Sequence, residues 1–202
     1  MSRSRLSPVQ REAEILAAAR ELLREVGFEQ FLPAEVARRC GVSEGLVYRY
    51  FPAKRDLLAR VATDWLAEIL AEEPDFTDCP DTEARLRRAI VYSVGVVRAE
   101  PTLTRYILLD LRAGPDYRGS ALHQLNKRFT GVIMRVLAEG MAAGELRSDL
   151  DTTLIRDMIF GAVEHQTWAY LRGDGESPPE RVAASIVDVL RSGILASLVV
   201  KG

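Results

Sequence analysis

The chain has 202 residues and a formal net charge of −2, from 27 Lys and Arg against 29 Asp and Glu. That length allows one large domain, or a small head on a larger body with an ample core. Two cysteines, Cys40 and Cys79, are too few and too differently placed for a disulfide framework. No apolar run reaches membrane-spanning length, and residues 1–6 lack the apolar stretch of a secretory signal, so the expected compartment is the cytoplasm.

Apolar stripes of helical spacing run almost end to end and no strand-like alternation persists, so the predicted fold is all-α. Arg3 and Arg5 read as a solubilising end or as an arm for a minor groove. A first helix over Pro8–Val26 carries its apolar stripe on Ile15, Ala19, Leu22 and Val26. A second, Pro33–Cys40, is a short support with Val36 and Ala37 facing inward. Gly41 then supplies the positive φ of a tight helix-to-helix turn, and Ser43 is placed as an N-cap. Glu44–Tyr50 is barely two turns long, and Pro52 stops it. So short a helix buries little and is marginal by itself. Its exposed face is expected to enter something, and a DNA major groove is the natural candidate.

The exposed chemistry agrees. Tyr48, Arg49 and Tyr50 place two phenols and a guanidinium on one turn, and Lys54 and Arg55 open the next helix. Phenols, ammonium groups and helix amides are common positioners of a phosphate backbone. Gly45 removes a side chain where the backbone could approach DNA closely. Helix, glycine turn and short helix together form a helix-turn-helix. The charge distribution fits as well. Residues 1–60 hold ten Arg and one Lys against eight acids, or +3; the remainder holds sixteen bases against twenty-one acids, or −5. A mildly basic head on an acidic body gives local positive potential.

Residues 9–66 resemble the DNA-binding domain of the TetR family of bacterial transcription regulators. The resemblance rests on Gly27-Phe28, Val36-Ala37, Cys40-Gly41-Val42-Ser43, Gly45, Tyr48-Arg49-Tyr50-Phe51, Lys54 and Leu57-Leu58, all at the family's spacing. It implies that Ser43, Tyr48, Tyr50 and Lys54 touch phosphates, and that Glu44, Gly45, Leu46 and Arg49 lie toward base edges. Arg49 suits guanine and Leu46 a thymine methyl. Glu44 either accepts from a cytosine amino group or serves as an acidic first-turn residue that caps the helix and repels wrong sites. One departure stands out. Where relatives open the second helix with a Thr/Ser pair and often an arginine, this chain has Phe31-Leu32-Pro33-Ala34. Pro33 suits a first helical turn, but a phosphate contact is lost, and Phe31 or Leu32 is free to face a neighbouring surface.

The division expected from the motif is a DNA-binding domain over 1–53 and a regulatory and dimerisation domain over 54–202. Helices are expected over Lys54 to about Ala71, Thr82–Ala99, Thr102–Arg112, about Gly119–Ala143, near Thr152–Leu171 and Pro179–Val200, nine in all. The last two should form a four-helix dimer interface. Its candidates are Leu154, Met158, Gly161, Ala162 and His165 on one helix, and Val182, Ile186, Val189, Leu190, Gly193 and Ile194 on the other. A two-fold dimer implies a palindromic DNA operator.

The resemblance further implies a small ligand among the middle helices, with the fourth helix as mechanical link and repression as the usual output. Candidate lining residues are Trp65, Ile69, Tyr92, Val96, Tyr106, Leu109, Phe129, Ile133 and Trp168, which suit an apolar or aromatic effector. Residues Ile155–Leu171 resemble relatives that sense fatty acyl-coenzyme A. The alternative is a DNA-binding regulator with no ligand, or one controlled by a partner. No enzyme is expected: His123 and His165 lack metal-ligand neighbours, and no phosphate loop, serine elbow or paired cysteine nucleophile is present. No cofactor, metal or membrane partner is predicted.

Overall fold

A computed structural model describes residues 6–175 and 177–194, the last three by backbone alone. Arg3, Arg5 and the expected helical residues beyond 194 lie outside this range, as do the side chains of Gly193 and Ile194. The regular elements are helical: α1 Pro8–Val26, α2 Pro33–Cys40, α3 Glu44–Tyr50, α4 Lys54–Ile69, α5 Thr82–Ala99, α6 Pro101–Tyr106, α7 Ala121–Ala142, α8 Thr152–Arg172 and α9 Pro179–Ile194. A π-helical turn, Ile107–Leu111, continues α6. The expected helix from Thr102 therefore begins one residue earlier. Pro101, which has no N–H to lose, takes the first helical position.

Packing divides the described chain into two compact units. The first takes in the chain up to Glu68 together with Glu100–Leu125; the second joins Ile69–Ala99 to the chain from Asn126 onward. This boundary falls well past residue 53. Leu57, Leu58, Val61, Ala62, Trp65 and Leu66 of α4 are buried, and α4 is grouped with the head almost to its end.

In the first unit α1 begins with a capping box. Ser7 Oγ accepts from Gln10 N–H, and the Gln10 side chain accepts from Ser7 N–H. Ile15, Ala19 and Leu22 are buried as the stripe predicts, joined by Leu23, while Val26 is only half-buried. The segment recruited from mid-chain is fastened by charge. Glu100, 4% exposed, receives Arg20 Nε at 3.1 Å and Arg24 Nε at 2.8 Å, and the Arg24 terminal nitrogen closes on its other oxygen. Arg105 pairs with Glu29 at 3.1 Å, and the Phe28 and Tyr106 rings meet at 5.3 Å.

The second unit packs α5, α7, α8 and α9 around Leu86, Ile90, Val94, Val132, Ile133, Leu137, Ile159 and Val187. The start of α5 is tied to the turn after α7 by Thr82 N–H donating to Glu145 at 2.6 Å. A β-carbon on Gly140 would lie 2.6 Å from a Thr82 methyl, so only glycine permits that approach.

The Glu100 cluster gives a stability prediction. Burial alone would raise the Glu100 pKa, but hydrogen bonds and charge from Arg24 and Arg20 outweigh it, and the net shift is downward. The stabilisation is therefore full above the ordinary carboxylate pKa and is lost as pH falls through the lower folded value. Glu100→Gln should cost about 1–3 kcal/mol at pH 7, because both arginines keep some access to water. Urea denaturation should also show a shallower loss of stability in acid for the variant than for the parent chain.

Candidate nucleic-acid interface

The turn between α2 and α3 is set by one glycine. Gly41 sits at φ 64° and ψ 39°. Its N–H reaches Arg38 O at 3.1 Å, and Val42 N–H reaches Ala37 O at 3.0 Å, the paired bonds of a left-handed helix stop. Val36, Ala37 and Cys40 bury the inner face of α2, and Cys40 packs with its sulfur 3.7 Å from Glu14 O. Cys40 is thus a small core residue of the support.

Helix α3 buries a single side chain, Val47, which is 1% exposed. Ser43, Glu44, Gly45, Tyr48 and Arg49 are exposed, and Leu46 and Tyr50 are half-buried. At 100° per residue, Gly45 and Arg49 lie nearly opposite Val47, flanked by Tyr48 and Leu46. Phe51, buried and extended at φ −132° and ψ 96°, ends the helix ahead of Pro52.

The hydrogen bonds remove the capping role expected of Ser43 and add a structural role to Lys54. Ser43 occupies the N-cap position, but its hydroxyl makes no capping bond and stays available to an outside partner. Lys54 Nζ donates to Phe28 O at 2.6 Å and lies 5.7 Å from the Phe31 ring centre. It pins the loop after α1 to the start of α4, a fixing role that sequence did not indicate. Phe31 is fully buried beneath it, so that residue is core and not an outward surface; Leu32, 62% exposed, is the one displayed. Leu32 occupies the α2 N-cap with no side-chain oxygen to offer.

The positive charge of α2 is largely neutralised. Arg38 and Arg39 both bond Glu35, and Arg39 also pairs with Glu25 at 2.5 Å. Hydrogen bonds from Arg38, then Arg39, hold the Glu35 carboxyl down to about 2. Arg49, in contrast, has no ion-pair or hydrogen-bond partner among the described residues and projects free from α3.

The expected interface and lining residues separate in the same way. Leu154, Met158, Gly161 and His165 of α8 are exposed, and Ala162 and Ile186 half-buried; Val189 of α9 is 80% exposed. Val182 and Leu190 instead face inward, within the core of the second unit. The predicted α9 stripe straddles two apolar faces, and the inner one is already covered. Gly161 has open space where a β-carbon would stand. Of the candidate lining residues, Trp65 and Tyr106 of the first unit are buried, whereas Leu109, on the π turn, is exposed. In the second unit Val96, Phe129 and Ile133 are buried, and Ile69, Tyr92 and Trp168 half-buried. Phe129 stacks with Tyr92 at 6.0 Å and with Phe160 at 5.6 Å, the latter unforeseen from sequence. Among the described residues no cluster of His, Cys, Asp or Glu is placed to hold a metal, and no helix is long and apolar enough to cross a membrane.

A short helix displayed on a glycine turn and joined to a helical body defines a helix-turn-helix DNA-binding regulator. Residues 15–61 match the bacterial regulatory proteins of the tetR family, and residues 79–194 match the tetracyclin repressor-like C-terminal domain. The chain belongs to the TetR family of transcription regulators. It is similar to a fatty acid metabolism regulator protein of Bacillus subtilis, 25% identical over 90% of this chain and 94% of the relative. The fold matches the structure of the B. subtilis regulator FadR in complex with stearoyl-CoA, with TM-score 0.73 and 24% identity over 90% and 98% of the two chains. It also matches the fatty acid degradation regulator FadR of Bacillus halodurans, with TM-score 0.68 and 22% identity over 97% and 99%.

Gly45 provides a separable test. A β-carbon there meets nothing within 4 Å, so the free protein has no need of glycine. Gly45→Ala should raise stability by about 0.5–1 kcal/mol in thermal denaturation and yet weaken DNA binding, if the backbone must approach DNA at that point. Arg49→Ala should relax base preference at one operator position by about 1–3 kcal/mol, whereas Tyr48→Phe should weaken all sequences alike. Binding titrations on single-base operator variants distinguish the two patterns.

Proposed function

We propose that the chain is a homodimeric repressor of a palindromic operator, and that a fatty acyl-coenzyme A releases it. The operator contacts assigned to it are Ser43, Tyr48 and Tyr50 on phosphates, with Glu44, Gly45, Leu46 and Arg49 toward the bases. Lys54, with one donor committed to Phe28, keeps others for a phosphate.

The dimer reading is carried by the unpartnered stripe of Leu154, Met158 and Val189, large apolar side chains left in water on two adjacent helices. Gly161 beside them allows close approach of a second helix. Gly193 and Ile194 are retained as interface candidates from sequence, and Val182 and Leu190 are withdrawn from that role. A two-fold pair of heads accounts for a two-fold operator.

The ligand reading is supported by the similarity over nine-tenths of the chain to a fatty acid metabolism regulator, and by the match to a regulator solved with stearoyl-CoA. The second unit's apolar and aromatic side chains Tyr92, Val96, Phe129, Ile133 and Trp168 suit a hydrocarbon chain better than a sugar or a free phosphate. Release requires only that the ligand prefer the conformation whose heads miss the operator.

Titration of a labelled operator complex tests this directly. Stearoyl-CoA should raise the apparent Kd by roughly 5- to 150-fold, the range of ordinary allosteric coupling, while coenzyme A alone should not. An unchanged Kd with acyl-CoAs of every chain length would favour the ligand-free regulator instead. Leu154→Glu combined with Met158→Glu should shift sedimentation from dimer to monomer and lower operator affinity together; a variant that stays dimeric would place the interface elsewhere.

A further inference from the structure

Lys54 and Arg55 open α4 side by side, and by chemistry alone both are suited to a phosphate. The structure turns Arg55 elsewhere. Its half-buried side chain lies against Gly114, in the turn that follows the π-helical stretch and within the same unit. A β-carbon on Gly114 would overlap one Arg55 terminal nitrogen and lie 2.9 Å from Cζ and 3.2 Å from the other terminal nitrogen. The guanidinium therefore rests on bare backbone. Gly114 has no positive φ, so its conformation gives no reason for glycine, whereas the close approach of Arg55 does. The turn is itself tied down, with Gly114 N–H donating to Leu111 O and Tyr117 N–H to Gly114 O, both at 3.2 Å. No ion pair draws Arg55 elsewhere among the described residues.

The contact matters because of what α4 carries. Only Phe51, Pro52 and Ala53 separate α3 from α4, and proline stiffens that link, so the first turn of α4 directs the end of α3. Lys54 holds this turn to the loop after α1 through Phe28 O. Arg55 holds it to the recruited mid-chain segment through Gly114. The two anchor points are joined in turn, since the rings of Phe28 and Tyr106 are in contact. Burial raises the Tyr106 phenol and the charge of Arg55 opposes that rise, as expected of a guanidinium close to the same ring.

We infer that Arg55 is a positioning residue of the DNA-binding head: seated on Gly114, it fixes the first turn of α4 and thereby the angle at which α3 meets DNA, and it makes no phosphate contact. This rests on α3 being the recognition helix. Glycine at 114 is then required by function, because any side chain there unseats the arginine. The fold tolerates the change, since the group displaced is the far end of a long, flexible side chain.

The test uses the duplex that the parent chain selects from a random library. Kd is measured against salt for the parent, Arg55→Ala, Gly114→Ala and the double variant. The thermal midpoint of Gly114→Ala should stay near that of the parent, because the backbone at 114 suits alanine. Each single variant should bind the selected duplex roughly 3- to 30-fold more weakly, and the double variant no more weakly than either, since all three lose one and the same contact. Preference for the consensus over single-base variants should shrink as well, while the slope of log Kd against log salt stays unchanged. A slope smaller by about one in Arg55→Ala, with parent-like binding by Gly114→Ala, would identify Arg55 as a phosphate contact and overturn the inference. Additive losses overturn it too, as do parent-like Kd values in both single variants or a loss confined to thermal stability. If the parent chain selects no consensus at all, α3 loses its assignment as the reader and this inference falls with it.

Discussion

One buried valine holds the recognition helix. With seven residues and only Val47 inside, α3 cannot keep its own position, since so short a helix is unstable without tertiary support. Its orientation therefore comes from both ends. Gly41 fixes the entry by a left-handed turn that any β-carbon would strain, and the buried Phe51 before Pro52 fixes the exit. Lys54 then ties the following helix to the carbonyl of Phe28, over the ring of Phe31. The consequence is functional. A helix anchored on one point presents nearly its whole circumference, and Ser43, Glu44, Gly45, Tyr48 and Arg49 are left to an outside partner.

The same head is larger than its motif. Glu100–Leu125 packs with it as one unit, although some thirty residues of the other unit separate the two stretches in sequence. Glu100 is central to that attachment, since a carboxylate taken out of water is tolerable only with strong partners, and Arg20 and Arg24 provide them. The chain thus leaves the head after Glu68, re-enters it at Glu100 and leaves it again after Leu125. The π turn at Ile107–Leu111 lies within the recruited stretch, in a helix type that occurs often at functional sites.

Much of this was legible in sequence, for local reasons. Gly41, Pro52, Pro33 and Pro101 are residues whose backbone chemistry dictates where a helix starts or stops, and α1, α2, α3 and α5 have the bounds predicted from them. The residues expected on the displayed side of α3 came from the resemblance to the family's motif and not from periodicity. What could not be read was non-local. Nothing near Lys54 in sequence announces Phe28 O as its partner, and nothing near Glu100 announces two arginines some eighty residues earlier. Periodicity also fails where a helix is apolar on two sides. On α9 one pattern joined Val182 and Leu190, which pack inward, to Val189, which faces water. Composition likewise could not distinguish Phe31, a core residue, from its displayed neighbour Leu32.

The measurement closest to the central claim is selection of the purified chain on a random DNA duplex library. If the helix displayed on Val47 reads DNA as one of a two-fold pair, the selected duplexes will share inverted half-sites whose centres lie a whole number of helical turns apart. Enrichment of an isolated half-site, or of no sequence at all, would contradict that account.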